Sequence, residues 1–263
     1  MPLLTFKIQR FDPEKDKEPY MQEFTFEVEK GLTILDCLNY IKENLDATLS
    51  YRASCRMGIC GSCAMLINDY PRLACETQVL VLGKTLIEIK PLPNYPLVKD
   101  LIVDLTPLFA KHRAVKPYVI HPDERQPEKE FIQTNQEQTK YLQFAYCLKC
   151  GICLAACPTV ATADNFLGPQ ALAQAYRYNS DTRDNGLKDR EKIIDSSYGL
   201  WRCHMAGACA EACPKGVDPA LAIQLMKKET ILGKKKNIAP LALPLVGVEP
   251  RPGIPKAPER TVK

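Results

Sequence analysis

The stretch CLKCGICLAACP at residues 147–158 determines how the second half of this chain is interpreted. Its cysteines are spaced x2, x2 and x3, and proline follows the fourth, which is a run that ligates iron–sulfur clusters. The run recurs 56 positions later as CHMAGACAEACP at residues 203–214, with Ala206 in place of the second cysteine. In paired runs of this kind, the fourth cysteine ligates the cluster of the other run.

Sharing of the fourth cysteine predicts two sites with unequal numbers of ligands. The first site takes Cys147, Cys150, Cys153 and Cys213, and the second takes Cys157, Cys203 and Cys209. An alanine methyl group cannot bind iron, so we expect a [4Fe–4S] cluster at the first site and a [3Fe–4S] cluster at the second. The alternative is a [4Fe–4S] cluster with water or another side chain at the open corner; His204 and Met205 are near it but out of register.

A third group of cysteines stands in the first half of the chain, with x4, x2 and x11 spacing: Cys55, Cys60, Cys63 and Cys75. The first two spacings are those of a plant-type [2Fe–2S] site. Gly58 and Gly61 allow the backbone to approach the cluster closely. The alternative is structural zinc, which usually takes two separated CxxC pairs.

The composition favours clusters over a secreted disulfide framework. The chain has 263 residues and 12 cysteines, and eleven of those cysteines fall in the three groups. The twelfth, Cys37, lies among apolar residues of a predicted helix, and we expect it to be a small buried hydrophobe. Neither a signal-like apolar segment nor a membrane-length one is evident, which predicts a soluble, cytoplasmic chain. The net charge of +4 gives no support for nucleic-acid binding.

The order of local patterns predicts an α+β fold. Residues 3–11 and 23–30 alternate apolar and polar side chains, as half-buried strands do. A helix is predicted from the N-cap candidate Thr33 to Leu45, and further strands at 64–68, around Leu73 and at 84–90. We therefore expect an N-terminal β-grasp [2Fe–2S] ferredoxin domain over residues 1–105.

The remainder of the chain is predicted to be helical after a proline-rich linker at 106–133. We expect an α-helical two-cluster ferredoxin domain over 134–237 and a proline-rich tail over 238–263. Its helices are predicted to begin at a Thr134–Glu137 capping box, at Pro169 and at Asp218-Pro219, the last of them ending at Gly233.

Over residues 1–235 the chain resembles the iron–sulfur subunit of succinate dehydrogenases and fumarate reductases. The resemblance is carried by CRMGICGSC (55–63), RLAC (72–75), CLKCGICLAACP (147–158), NFLGPQALAQAYRYNSDTRD (165–184) and CPKGVDP (213–219). It implies an oxidoreductase complex in which a partner flavoprotein subunit interconverts succinate and fumarate at FAD. This chain would connect that flavin to quinone in a membrane anchor, in the order FAD, [2Fe–2S], [4Fe–4S], [3Fe–4S], quinone.

The resemblance also implies residues near the quinone: Pro158, Thr159, His204, Gln224 and Lys227. Many ubiquinone-using members carry a tryptophan after the Cys-Pro equivalent to Cys157-Pro158, and TVATADN here favours menaquinone. The one tryptophan, Trp201, is predicted to be a core residue. Lys227, Lys228 and Lys234–Lys236 are candidates for contact with anionic lipid.

The expected location is the cytoplasmic face of the inner membrane of a prokaryote, with the chain held there through the anchor. Three alternatives stay open: the cluster subunit of a thiol, heterodisulfide, glycolate or glycerol-phosphate oxidoreductase; a free-standing electron carrier; and a zinc-stabilised scaffold.

Overall fold

The structure, a computed structural model, describes residues 1–121 and 130–233. Within them the chain forms two compact units, one spanning Met1–Asp104 and the other beginning at Leu105. The first contains a five-stranded sheet and a helix, and the second consists of helices. The predicted α+β class is confirmed. The predicted tail and Lys234–Lys236 lie outside the described residues.

The first unit contains one main sheet, a separate pair of strands and an α-helix. The strands of the unit are β1 (Leu3–Arg10), β2 (Tyr20–Glu27), β3 (Ala64–Ile67), β4 (Tyr70–Leu73), β5 (Leu86–Lys90), β6 (Leu97–Lys99) and β7 (Ile102–Val103), and the helix is α1 (Ile34–Asn44). The sheet has the order β2-β1-β5-β3-β4, with β1 and β5 parallel and the other neighbours antiparallel. Strands β6 and β7 form a separate antiparallel pair.

Alternation in β1 places one face of the sheet in the core, because successive side chains point to opposite faces. Leu4, Phe6 and Ile8 are buried, and β2 pairs with β1 from Glu27 opposite Leu3 to Tyr20 opposite Arg10. This pairing starts β2 three residues earlier than the predicted strand at 23–30.

Helix α1 contributes the apolar face predicted from its periodicity. The buried positions are Ile34, Leu35, Cys37, Leu38 and Ile41. The Thr33 side chain accepts from Asp36 N–H, and Asp36 accepts from Thr33 N–H, so both members of a capping box are satisfied. Cys37 is fully buried, which confirms its prediction as a small core residue.

A buried ionic network fixes the segment that enters the first cysteine group. Arg10, 5% exposed, contacts Asp46 at 2.6 Å and Asp100 at 3.1 Å. The second carboxylate oxygen of Asp100 accepts from Ser50 N–H at 2.8 Å. The backbone therefore leaves α1 on a defined course, a few residues before Cys55.

The second unit is assembled around one buried helix. Its helices are α2 (Thr106–Ala114), α3 (Asn135–Thr139), α4 (Leu142–Ala145), α5 (Ile152–Ala155), α6 (Pro158–Thr162), α7 (Gly168–Asn179), α8 (Leu187–Ile194), α9 (Ala208–Glu211) and α10 (Pro219–Leu232). Ten of the twelve residues of α7 are buried, and α2, α4, α8 and α10 all pack against it. None of the helices described is both long and apolar enough to cross a bilayer.

Three features of this unit differ from the sequence predictions. Helix α2 lies in the segment predicted to be a linker, since Pro107 occupies its first turn, where proline is tolerated. The helix predicted from Thr134 to the cysteines is interrupted at Tyr141, which is 3% exposed and has φ −124° and ψ −2°. Helix α8 was not predicted at all. The helices that begin at Gly168 and Pro219 confirm the predictions made from Pro169 and Asp218.

Candidate iron–sulfur cluster sites

The first cysteine group lies on the loop between α1 and β3, with its fourth member just after β4. Backbone N–H groups along this loop donate to the thiol sulfurs. The donor–sulfur distances are 3.3 Å for Gly58 to Cys75, Ile59 to Cys55 and Cys60 to Cys55, and 3.5 Å for Met57 to Cys55, Ser62 to Cys60 and Cys75 to Cys63. Each of the four sulfurs predicted as ligands from the spacing therefore accepts at least one hydrogen bond from a backbone N–H group.

The loop turns on glycines with left-handed backbone angles. Gly58 has φ +68° and Gly61 has φ +76°. A Cβ at position 58 would overlap the side chain of Glu76, and Gly58 N–H is the donor that reaches Cys75. The left-handed backbone angle favours glycine at this position, and a Cβ would also displace the Glu76 side chain.

Two cysteines of this group, Cys60 and Cys75, differ in the pKa of their thiols. Hydrogen bonds from the Ser62 side chain and from Cys55 N–H lower the pKa of Cys60 to about 6. Burial and the neighbouring Cys63 raise the pKa of Cys75 to about 12. Cys60 thus favours the thiolate at neutral pH, whereas Cys75 needs a nearby positive charge, such as that of iron, to lose its proton.

Two cavities in the second unit are each lined by cysteines from both copies of the repeated run. One is lined by Cys147, Cys150, Cys153 and Cys213, and its empty space, part of it open to solvent, is about 420 Å³. The other is lined by Cys157, Cys203 and Cys209, with Ala206 beside them, and its empty space, also partly open to solvent, is about 330 Å³. We call them the four-cysteine cavity and the three-cysteine cavity.

The backbone repeats along with the sequence. Lys149 and Met205, 56 positions apart, have φ +57° and +59°, and Gly151 and Gly207 have φ +85° and +79°. Each glycine precedes a four-residue helix, α5 or α9, which carries Cys153 in the first run and the equivalent Cys209 in the second. Ala206 thus occupies the position in its copy that Cys150 occupies in the other.

The donor sets of both cavities suit iron. Burial raises the pKa of Cys150 and of Cys209 to about 12, and it also raises the pKa of Cys153 and of Cys213. Buried thiols of this kind are protonated unless a metal charge stabilises the thiolate. Three or four thiols lining one pocket are a donor set that fits a multi-iron cluster.

The residues predicted to lie near quinone are not all in one place. Pro158 and Thr159 line the three-cysteine cavity. His204 is exposed and is not among the lining residues. The Nε2 atom of Gln224 is buried and has no hydrogen-bond partner in the part of the chain that the structure describes.

Lys227 and Trp201 lie together on the surface of this unit. Lys227 Nζ donates to Cys203 O at 2.9 Å and lies 5.8 Å from the centre of the Trp201 ring. Trp201 is 44% exposed, and its Nε1 donates to Asp195 at 2.6 Å. The prediction that Trp201 is a core residue was wrong, because an indole N–H paired with a surface carboxylate keeps the ring at the boundary.

The sequence interpretation missed a buried polar residue of the four-cysteine cavity, Gln170, and its buried neighbour His112. Gln170 lines that cavity and is 1% exposed; His112, on α2, is 8% exposed. The available signal was the spacing of Gln170 and Gln174, which places two glutamines on a helix otherwise rich in small apolar residues. Nothing in the sequence connects either one to His112.

Comparison with known proteins gives two family matches. Residues 5–110 match a model described as a 2Fe-2S iron-sulfur cluster binding domain, and residues 143–217 match one described as a 4Fe-4S dicluster domain. The two matched ranges contain all eleven grouped cysteines.

Curated relatives match over most of their length. The fumarate reductase iron-sulfur subunit of Haemophilus influenzae is 40% identical over 87% of this chain and 93% of its own. That of Mycobacterium tuberculosis is 42% identical over 86% and 92%. The succinate dehydrogenase iron-sulfur subunit of Coxiella burnetii is 37% identical over 87% and 97%.

Among solved structures, a chain of the Mycobacterium smegmatis Sdh1 complex in the apo form has a TM-score of 0.79 to this one. The match covers 89% of this chain and 98% of that chain at 24% identity, which shows a shared fold.

Proposed function

This chain belongs to the family of fumarate reductase and succinate dehydrogenase iron–sulfur subunits, and we propose that it connects the FAD of a partner flavoprotein subunit to a membrane quinone. Members of this family are electron-transfer subunits of an oxidoreductase, with a [2Fe–2S] domain followed by a two-cluster domain. Each cluster supplies one-electron chemistry when bound. The protein supplies the ligands and the surrounding hydrogen bonds, burial and charge.

The proposed ligands follow the three groups of cysteines. Cys55, Cys60, Cys63 and Cys75 hold the [2Fe–2S] cluster; Cys147, Cys150, Cys153 and Cys213 hold the [4Fe–4S] cluster; Cys157, Cys203 and Cys209 hold the [3Fe–4S] cluster. The observation that carries this assignment is the lining of the two cavities, each of which draws cysteines from both copies of the run. The family matches leave the zinc scaffold without support.

The three-iron assignment rests on Ala206. Its backbone position repeats that of Cys150, and it lies at the three-cysteine cavity among Cys157, Cys203 and Cys209. Met205 also lines this cavity, but thioether sulfur is a weak acceptor, and Met205 is 61% exposed. A fourth iron would have no thiolate.

The proposed partners are a FAD-bearing subunit and a membrane-anchor subunit that holds quinone near the three-cysteine cavity, with menaquinone favoured. Pro158 and Thr159 are the best-supported quinone neighbours, because they line that cavity. Gln224 adds a buried amide nitrogen that has no hydrogen-bond partner among the described residues, and Lys227 adds a cation whose Nζ donates to Cys203 O. His204, exposed beside Cys203, is retained as a candidate proton donor. The proposed location is the cytoplasmic face of a prokaryotic inner membrane.

The test is purification of the complex. The chain is tagged, membranes are solubilised gently, and the co-purified material is assayed for covalent flavin and for succinate–fumarate turnover. A flavin-bearing partner with turnover is the expected result, and the ratio of forward to reverse rates then gives the favoured direction. A flavin-containing complex that acts on neither acid would contradict the proposal in favour of the thiol or glycolate relatives. A folded brown protein without any partner would favour a free carrier.

A further inference from the structure

Gln170 and His112 form a buried pair beside the four-cysteine cavity and belong to none of the ligand sets. Gln170 is in the first turn of α7 and His112 in the last turn of α2. They are 1% and 8% exposed. Burying two polar side chains costs free energy unless their hydrogen bonds are made, so the partners of this pair are informative.

The amide nitrogen of Gln170 faces two acceptors. Nε2 lies 3.1 Å from His112 Nδ1 and 3.9 Å from Cys147 Sγ. A side-chain amide carries two hydrogens on nitrogen and can donate to both. Its oxygen, Oε1, is buried and has no hydrogen-bond partner among the described residues. If the amide were flipped, Oε1 would face Cys147 Sγ, and two hydrogen-bond acceptors would oppose each other. A thiolate at Cys147 therefore favours the observed orientation of the amide.

His112 is suited to hold the amide in this orientation. Burial, followed by the charge of Lys149, lowers the pKa of His112. A neutral imidazole has one ring nitrogen that accepts a hydrogen bond, whereas the charged form has none. Nδ1 of neutral His112 therefore accepts from Gln170 and directs the second N–H toward Cys147.

We propose that Gln170 donates a hydrogen bond to the Cys147 thiolate of the [4Fe–4S] site, positioned by His112, and that this bond raises the reduction potential of that cluster. The inference rests on the ligand assignment proposed above. Hydrogen bonds to the sulfurs are among the factors that set cluster potentials. Reduction adds negative charge, which a donor stabilises more in the reduced state than in the oxidised state.

The chain offers a matched control for this proposal one helical turn away. Gln174 is also on α7 and is 5% exposed, but its Nε2 donates to the backbone oxygen of Phe144 at 2.8 Å. Gln174→Leu removes the same amide from the same helix without removing a donor to sulfur.

The test is an EPR-monitored redox titration of the intact purified complex. Three single variants, Gln170→Leu, Gln174→Leu and His112→Leu, are compared with the wild type and with the double variant that combines Gln170→Leu and His112→Leu. Gln170→Leu is expected to lower the midpoint potential of the [4Fe–4S] cluster and to leave the other two clusters unchanged. His112→Leu is expected to lower it by less. The double variant should match Gln170→Leu alone, because His112 acts only through Gln170.

The outcomes separate this inference from the ligand assignment. A wild-type complex without a [4Fe–4S] signal would refute the assignment itself. With that signal present, an unchanged potential in Gln170→Leu, or an equal shift in Gln174→Leu, overturns the inference. If Gln170→Leu fails to retain the cluster, His112→Leu decides: a lowered potential supports the proposal and an unchanged one overturns it.

Discussion

Gly58 determines the conformation of the loop that carries the first cysteine group, because it has no side chain. Its N–H reaches Cys75 Sγ at 3.3 Å, and its φ of +68° is one that residues with a Cβ rarely adopt. The space where a Cβ would stand is taken by Glu76. The spacing of the cysteines predicts the ligands, but the shape of the loop depends on this position.

Gly58→Ala is therefore expected to reduce [2Fe–2S] occupancy, since the methyl group strains the backbone at a residue whose N–H donates to Cys75 and also displaces the Glu76 side chain. Iron and acid-labile sulfide per chain, with the visible absorbance of the [2Fe–2S] cluster, measure the loss. Gly83→Ala is the control: Gly83 has a similar φ of +62°, but a Cβ there meets no atom within 4 Å. That variant should carry only backbone strain, about 1 to 2 kcal/mol. Equal occupancy in the two variants would contradict the role assigned to Gly58.

Ala206 is the second residue on which a cluster depends. Ala206→Cys supplies the missing thiolate at the three-cysteine cavity, and we expect it to convert the [3Fe–4S] cluster to [4Fe–4S]. The EPR signal of the oxidised three-iron cluster should disappear, and the iron content should rise by about one atom per chain, the difference between the two cluster types. Ala206→Val adds volume without a ligand and should retain the three-iron signal. Persistence of that signal in Ala206→Cys would show that the open corner is not at residue 206.

At the scale of elements, α10 connects the two cavities. Pro219 lines the four-cysteine cavity, while Ala220 and Ile223 line the three-cysteine cavity. The helix begins at Asp218, whose side chain accepts from Leu221 N–H at 2.9 Å. A weaker N-terminus of α10 therefore loosens a wall of both sites.

Asp218→Ala is expected to destabilise the chain by about 1 kcal/mol through loss of the N-cap. Asp218→Asn retains an acceptor and should cost far less. Thermal unfolding followed by circular dichroism measures both variants, and the bleaching of cluster absorbance in the same scans should advance in Asp218→Ala. If the two substitutions lower Tm equally, charge rather than capping stabilises α10.

Sequence patterns predicted the elements that are encoded locally. The N-cap at Thr33, the capping box at Thr134, the proline start of α7 and the glycine stop of α10 all involve neighbours within a few residues. Helix α8 has no such signal, and its stability comes from distant partners. Its Arg190 is fully buried, pairs with Asp184 at 2.6 Å and donates to the backbone oxygens of Lys116 and Tyr118.

The distinction between locally encoded features and features that depend on distant contacts also applies to the cluster sites. The cysteines could be sorted by spacing alone, because cluster ligands recur at fixed short intervals. The contact of Gln170 with His112 spans 58 positions and depends on how α2 packs on α7, which no local pattern records. Trp201 was misplaced for the same reason, since its environment depends on Asp195 and on Lys227 from α10.

At the scale of the whole molecule, the proposed membrane attachment is made through the anchor subunit. Cells that lack the anchor subunit are therefore expected to release this chain and the flavoprotein into the soluble fraction. The released pair should reduce an artificial dye with succinate but should not reduce quinone. Fractionation with immunoblotting, together with the two assays, tests this. Chain that stays in the membrane fraction after a high-salt wash would instead indicate direct binding to lipid.

The exchange of the fourth cysteine between the two repeats constrains when, during translation, the clusters can be inserted. If Cys213 completes the ligand set that begins at Cys147, that set is unfinished while the chain is still being translated up to residue 212. The Cys55–Cys75 loop, in contrast, has all its ligands long before then. On that assignment, iron insertion into the second unit waits until residue 213 has left the ribosome, whereas the first unit can mature on a shorter nascent chain.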